Sequence, residues 1–179
     1  MQFHPLRAMG DRWKNYKETV ANDFYELVRD LLEHEDVLKL DEYKQHFSYT
    51  RLRHSIDVAF FSYCIARILG WDCRSVARAG LLHDLFHYDW RDEEYVCEGR
   101  NHAMEHPKIA LRNAMRICSL NEKEQNIIRR HMWLVTLVPP RYKEGYIVTF
   151  VDKYCAMREM VIGLLNRKRG VRSAFATAI

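Results

Sequence analysis

GLLHDLFHY, residues Gly80 to Tyr88, is the stretch on which the reading of this chain turns. An apolar run ends in two adjacent residues, His83 and Asp84, that both make good metal ligands. His87 follows within one helical turn. A buried imidazole and carboxylate are costly unless they are paired or bound to a metal. The pair therefore marks the centre of a metal site, with further ligands both before and after it. The helix that delivers it reads CRSVARAGLLHD, with Asp72 as N-cap and Val76, Ala79, Leu81 and Leu82 as apolar positions. Gly80 permits close packing against a neighbour. Asp84 sits at the negative end of the helix dipole, an unfavourable place for a carboxylate without a cation.

Upstream, the residues from Arg51 to Leu69 carry a dense helical pattern, and Gly70 is a natural C-terminal stop. His54 falls in the first turn of this helix and Asp57 one turn on. Further back, Tyr16 to Leu38 has helical spacing, with Val20, Phe24, Leu27, Leu31 and Leu32 on one face. It reads as a covering helix within residues 1–40. Asp41 to Thr50 reads as a polar loop.

Downstream, Tyr88 to Asn101 is charged and aromatic and reads as a surface loop. Asp89, Asp92, Glu93 and Glu94 are expected in solvent, and Trp90 and Arg91 are minor candidates for substrate contact. Pro107 suits a first helical position, so a helix is expected from Pro107 to Ile117. His106 then stands just ahead of that helix, as a ligand. His102, four residues earlier, is placed behind the ligands or against a phosphate, because Pro107 biases the preceding residue away from helix. Asn121 with Glu124 forms a capping-box signature, and the helix it opens ends near His131. Pro139-Pro140 is a sharp stop. The last helix spans Glu144 to Arg167, with an expected buried stripe of Ile147, Phe150, Val151, Tyr154, Met157, Val161 and Leu164. Asp152 lies among these apolar residues and needs a buried partner. Lys153 points about 100° away around the helix, towards salt bridging.

Composition agrees with a helical enzyme-sized domain. The 179 residues are 48% hydrophobic, with only 7 Gly and 4 Pro, which argues against disorder or an all-β chain. No apolar run reaches the roughly 18 residues of a membrane span. No secretory pattern opens the chain, so a cytoplasmic protein is expected. The five Cys include no CxxC pair and read as reduced thiols. Net charge is +4. The basic run from Asn166 to Arg172 reads as a solvated helix end, so no nucleic-acid polymer is expected as a partner. Without sustained strand alternation the fold class is all-α, a single domain over 1–179. A small phosphorylated molecule is the expected partner, and the sequence leaves room for a homo-oligomer.

The ordered set His54, His83-Asp84, His106, His131 and Asp152 comes from separate helices or turns, which suits a site inside a helical bundle. Its N and O ligands suit Mn, Fe, Zn or Mg, with imidazole arguing against a purely Mg site. Asp84 can bridge to a second metal held by His106 and His131. In RLRHSIDVA, ARAGLLHDLFH and IVTFVDKYCA the chain resembles the HD-domain superfamily of metal-dependent phosphohydrolases, over about residues 51–155. HAMEHPKIA and RRHMW resemble the subset of that superfamily with two further histidines.

The resemblance implies an HD-like bundle with one or two divalent metals. His54, His83, Asp84 and Asp152 would hold the first, and Asp84, His106 and His131 the second. It implies hydrolysis of a phosphate ester of a nucleotide or other small metabolite, with Asp84 and His87 as catalytic residues. Arg51, His87 and His102 are the expected substrate contacts, and His87 or His102 the proton donors to the leaving group. The departures are Phe86, where the family often has Gly and which is expected to narrow the pocket, and the lack of a GYP motif. An HD-like di-iron oxygenase and a non-catalytic nucleotide-binding sensor module are the alternatives.

Overall fold

The computed structural model describes residues 5–45, 49–91 and 102–176, with side chains described between residues 17 and 167 of those ranges. Among the described residues seven α-helices follow one another: α1 (Pro5–Leu32), α2 (Glu35–Leu38), α3 (Arg51–Leu69), α4 (Cys73–Leu82), α5 (His102–Ile117), α6 (Glu122–Arg130) and α7 (Lys143–Ala176). A 3₁₀ helix, Lys39–Glu42, follows α2. Among the described residues there is no strand, only isolated bridges between Lys44 and Thr50 and between Trp133 and Thr136. No described helix is long and apolar enough to cross a membrane.

Local chemistry sets most helix ends. The Thr50 side chain accepts from Arg53 N and starts α3, and Gly70 at φ 64° ends it. Asp72 accepts from Ser75 N and opens α4. Asn121 and Glu124 form a complete capping box at α6. The N-terminal helix does not run from Tyr16 to Leu38 as expected. It starts at Pro5 and stops at Leu32, because His34 turns extended (φ −79°, ψ 131°) and caps α2 by accepting from Asp36 N.

Helix α4 is the hub. Every residue from Ser75 to Leu82 is buried, and α4 touches α1, α3, α5, α6 and α7. Its closest neighbour is α3: a Cβ on Gly80 would lie 2.9 Å from Ala59 Cα, so only glycine lets the backbones approach this far. Arg78 points from α4 the other way. Its guanidinium takes both carboxylate oxygens of Asp30, at 2.6 and 2.9 Å, and donates to the Leu27 carbonyl at 3.1 Å. That bidentate geometry fastens α1 over the core. Phe24 of α1 meets Phe60 edge-on at 5.2 Å and Tyr63 at 5.5 Å. The described elements share one apolar core, which includes Val28, Leu31, Val58, Leu82, Ile127 and Val148.

Two expectations about the later helices are corrected. Helix α5 begins at His102, with Pro107 inside it. The His106 side chain bonds to the His102 carbonyl there, at 3.0 Å. Helix α7 is turned relative to the expected stripe. Ile147, Val148, Val151, Cys155 and Glu159 are buried, whereas Phe150, Tyr154, Met157, Val161 and Leu164 are exposed. The inward face accommodates polar Asp152 and Glu159, whose partners lie on other helices.

Candidate metal centre

Five segments converge on one point. His54 comes from the first turn of α3, and His83 and Asp84 from the end of α4. His106 lies one turn into α5, His131 just past α6 and Asp152 on α7. All except the partly buried Asp152 are buried. Among the described residues, three overlapping groups bring their donor atoms within 4.8 Å of one another: His54 with His83 and Asp84, His83 with His131 and Asp152, and Asp84 with His106 and His131.

Hydrogen bonds fix how these histidines face. Nδ1 lies 2.7 Å from the Gly80 carbonyl in His83, 3.0 Å from the His102 carbonyl in His106, and 2.9 Å from the Ile128 carbonyl in His131. A carbonyl only accepts, so in each ring Nδ1 carries the hydrogen and donates. In the neutral ring Nε2 then offers a lone pair to the centre. Asp84 Oδ1 lies 3.3 Å from His106 Nε2 and 3.6 Å from His131 Nε2, and its Oδ2 lies 3.6 Å from His83 Nε2. Asp152 Oδ1 lies 3.1 Å from His54 Nε2 and 3.6 Å from His83 Nε2.

Two of these inward atoms, His83 Nε2 and Asp84 Oδ1, are buried without a hydrogen-bond partner. Desolvating such atoms unpaired is unfavourable. An N/O donor set that leaves them so fits a divalent cation. Burial raises the Asp84 carboxyl, but His83, His106 and His131 outweigh it and hold Asp84 well below the usual range. The same contest, won by His54 and His83, holds Asp152 low. Burial and then the His106 and His83 rings push His131 down to about 3, keeping it neutral.

Behind the donors lies a layer that the sequence reading missed. Glu159, fully buried, places Oε1 2.8 Å from His54 Nδ1. Burial opposes a charge on His54, yet Asp152 and Glu159 push it up to about 10. Glu159 stands seven residues after Asp152, two turns along the same face, and that spacing was the available signal. Gln45 donates from Nε2 to Asp84 Oδ2 at 2.8 Å and accepts from Arg51 Nε at 3.0 Å. Nothing local in a short polar loop announces that role.

Two expected substrate contacts lie elsewhere. Arg51 is fully buried. Its Nη1 donates to the Phe86 carbonyl at 2.7 Å and, with Nη2, to the Tyr88 carbonyl at 3.2 Å, while the guanidinium lies 3.6 Å over the Phe86 ring. Burial pushes its pKa down to about 10. It braces the turn after His83-Asp84 and does not reach for phosphate. His87 also turns away, its Nε2 2.8 Å from the Asp36 carbonyl. Helix α4 ends at Leu82, so His87 does not share a helical face with His83. Phe86 is buried under Arg51 and does not narrow the pocket.

An open pocket of roughly 260 Å³ lies over the cluster. Trp90, His102, Met132, Val135, Lys153 and Ala156 line it beside the residues of the cluster. Trp90 stacks on His102 at 6.1 Å, and His102 on His106 at 4.6 Å. Burial and then His106 push His102 down to about 4. Lys153 Nζ donates to the His131 carbonyl at 3.1 Å and lies 3.7 Å from Asp152 Oδ2. Lys153 thus makes the salt bridge expected of it, and its partner, Asp152, places it at the site. Arg91 does not enter the pocket but donates to the Lys44 carbonyl at 2.9 Å. Asp92, Glu93 and Glu94 lie outside the described residues.

The family model for the HD domain matches residues 51–157, from the start of α3 to just past Asp152 on α7. No curated protein and no solved structure matches the chain.

Proposed function

The chain belongs to the HD-domain family, and on that premise we propose that it is a metal-dependent phosphohydrolase acting on a small phosphate ester, a nucleotide foremost. The observation that carries this reading is Asp84. Its two oxygens face different histidine groups, and Oδ1 is buried without a partner at the floor of an open pocket. His54, His83, Asp84 and Asp152 would hold one divalent ion, and Asp84, His106 and His131 a second. When bound, such ions polarise a phosphoryl oxygen and lower the pKa of water.

The chain's own groups do the rest. Lys153 offers a positive charge at the pocket wall for a phosphate oxygen. Gln45 and Arg51 keep Asp84 oriented from behind. His102, held neutral, has no acidic proton to give near neutral pH, so it serves as a hydrogen-bonding wall and not as the proton donor first expected. The Trp90 indole supplies a flat face for a base to stack on. The pocket's small volume supports a small substrate over a polymer. The described cysteines Cys64, Cys73, Cys118 and Cys155 are unpaired, which supports placing the activity in the reducing cytoplasm.

The test is metal analysis of purified protein, followed by phosphate release over a panel of nucleotides and sugar phosphates with Mn²⁺. Turnover that falls at least ~1,000-fold in Asp84→Asn is expected, of the order of losing an electrostatic centre of the reaction. Wild-type turnover in Asp84→Asn, or a redox-active iron pair without phosphate release, would overturn the reading.

A further inference from the structure

The outward side of α7 carries Phe150, Tyr154, Met157, Val161 and Leu164. These follow one another at intervals of four, three, four and three residues, the seam spacing of two helices packed side by side. Their exposures run from 48% to 59%. Met160 and Leu165 flank the seam and are about half exposed too. The opposite side of the same helix packs into the bundle, so the seam is a second apolar face that the bundle leaves uncovered.

We propose that this seam is the contact surface for a second copy of the chain, with α7 packing on α7 about a two-fold axis. Two observations choose that occupant. The seam residues carry no charge, and the cations beside them are paired within the chain, Lys153 with Asp152 and Arg158 with Asp57, so the surface suits a copy of itself over a charged peptide. Its area also fits: seven large side chains half exposed leave on the order of 700 Å², close to the roughly 800 Å² per partner of a stable interface and above the largest patch of a typical monomer. A two-fold pairing makes the same patch meet itself. Met157 lies at the middle of the seam and would then face the partner copy's own Met157, whether the helices run parallel or antiparallel.

The seam adjoins the pocket. Lys153 and Ala156 line the pocket, and each lies about 60–100° around the helix from a seam residue. Beyond Phe150, Trp133 meets its ring edge-on at 6.1 Å. The next turn holds Leu134 at φ 85°, in the left-handed region that a leucine avoids, and leaves it 60% exposed. The apolar surface thus continues from α7 to the pocket rim, and a second copy would wall the pocket's open side.

The experiment measures the mass of the full-length protein in solution by light scattering, over a range of concentrations. Twice the chain mass of 21.5 kDa is expected. Met157→Glu should halve it with the helical circular dichroism unchanged. Met157→Cys guards against a misfolded charge variant: it should yield a disulfide-linked dimer on mild oxidation that the wild-type chain does not form. A monomeric wild-type chain overturns the proposal. So does a dimer that survives Met157→Glu, or an oxidised Met157→Cys that stays monomeric. A monomer whose seam binds anionic phospholipid vesicles assigns the surface to a membrane instead and equally overturns it.

Discussion

His106 Nε2 and His131 Nε2 face each other at 2.9 Å, and each ring already gives its Nδ1 hydrogen to a backbone carbonyl. Two neutral imidazoles so arranged bring lone pair against lone pair. A cation held by these two rings and Asp84 would remove the conflict. Elemental analysis is therefore expected to find two metals per chain, and His106→Ala one, with the first site intact. Chelation should lower the thermal midpoint, since an ion that binds only the folded state adds about 2.7 kcal/mol at a hundredfold excess over Kd. One metal in both proteins would remove the second site from the picture.

Glu159 orients His54 through Nδ1. In metal sites such an outer partner is worth about 10–100-fold in affinity. Glu159→Gln should weaken metal binding by that much in a titration followed by calorimetry, while circular dichroism stays unchanged. Equal affinity in the variant would reduce Glu159 to a packing residue.

His102 contributes to the pH response of the metal-free protein below pH 6.5. Its folded pKa of about 4 lies below the ordinary 6.5. Above pH 6.5 both states are neutral and the group contributes nothing. Between 6.5 and about 4 the unfolded chain takes up a proton that the folded one refuses, so stability falls as pH falls. Below about 4 the loss levels off. His131 acts in the same direction down to about 3. Thermal midpoints measured from pH 6 to pH 4, where His54 is charged in both states, should decline, and His102→Gln should flatten part of the slope. A variant slope identical to wild type contradicts the assignment.

Lys153→Met removes the pocket's cation but no donor of the cluster. KM for a phosphate ester is expected to rise about tenfold, an ordinary loss of uniform binding, with metal content unchanged. Lost metal instead would mean that Lys153 acts by holding the His131 turn through its carbonyl.

What could be read from the chain alone was local. Asp72, Asn121 and the left-handed Gly70 act within a few residues, so the starts of α4 and α6 and the end of α3 were legible. All six donors lie on segments whose motifs stand in the sequence. Helix α7 was misjudged because two faces of it are apolar, and periodicity does not say which one a bundle takes inward. The inward one carries Asp152 and Glu159, polar residues that both meet His54, about a hundred positions away in sequence. Arg51 and His87 looked like substrate contacts because side-chain type reveals chemistry but not direction. Their partners, the Phe86, Tyr88 and Asp36 carbonyls, become visible only once the turn after Asp84 is folded.

Gly80 has no side chain to offer a metal, yet besides accepting from His83 Nδ1 through its carbonyl it acts as a spacer between α3, which carries His54, and α4, which delivers His83. Workable metal–ligand distances tolerate only about 0.2 Å of error. The missing methyl group, whose place is 2.9 Å from Ala59 Cα, therefore sets the caliper of the first site. Gly80→Ala should part the helices and shift the ion preference towards larger cations, read as a changed ratio of Mn²⁺ to Zn²⁺ affinity. Ion size would then be chosen three residues before the histidine that meets the ion.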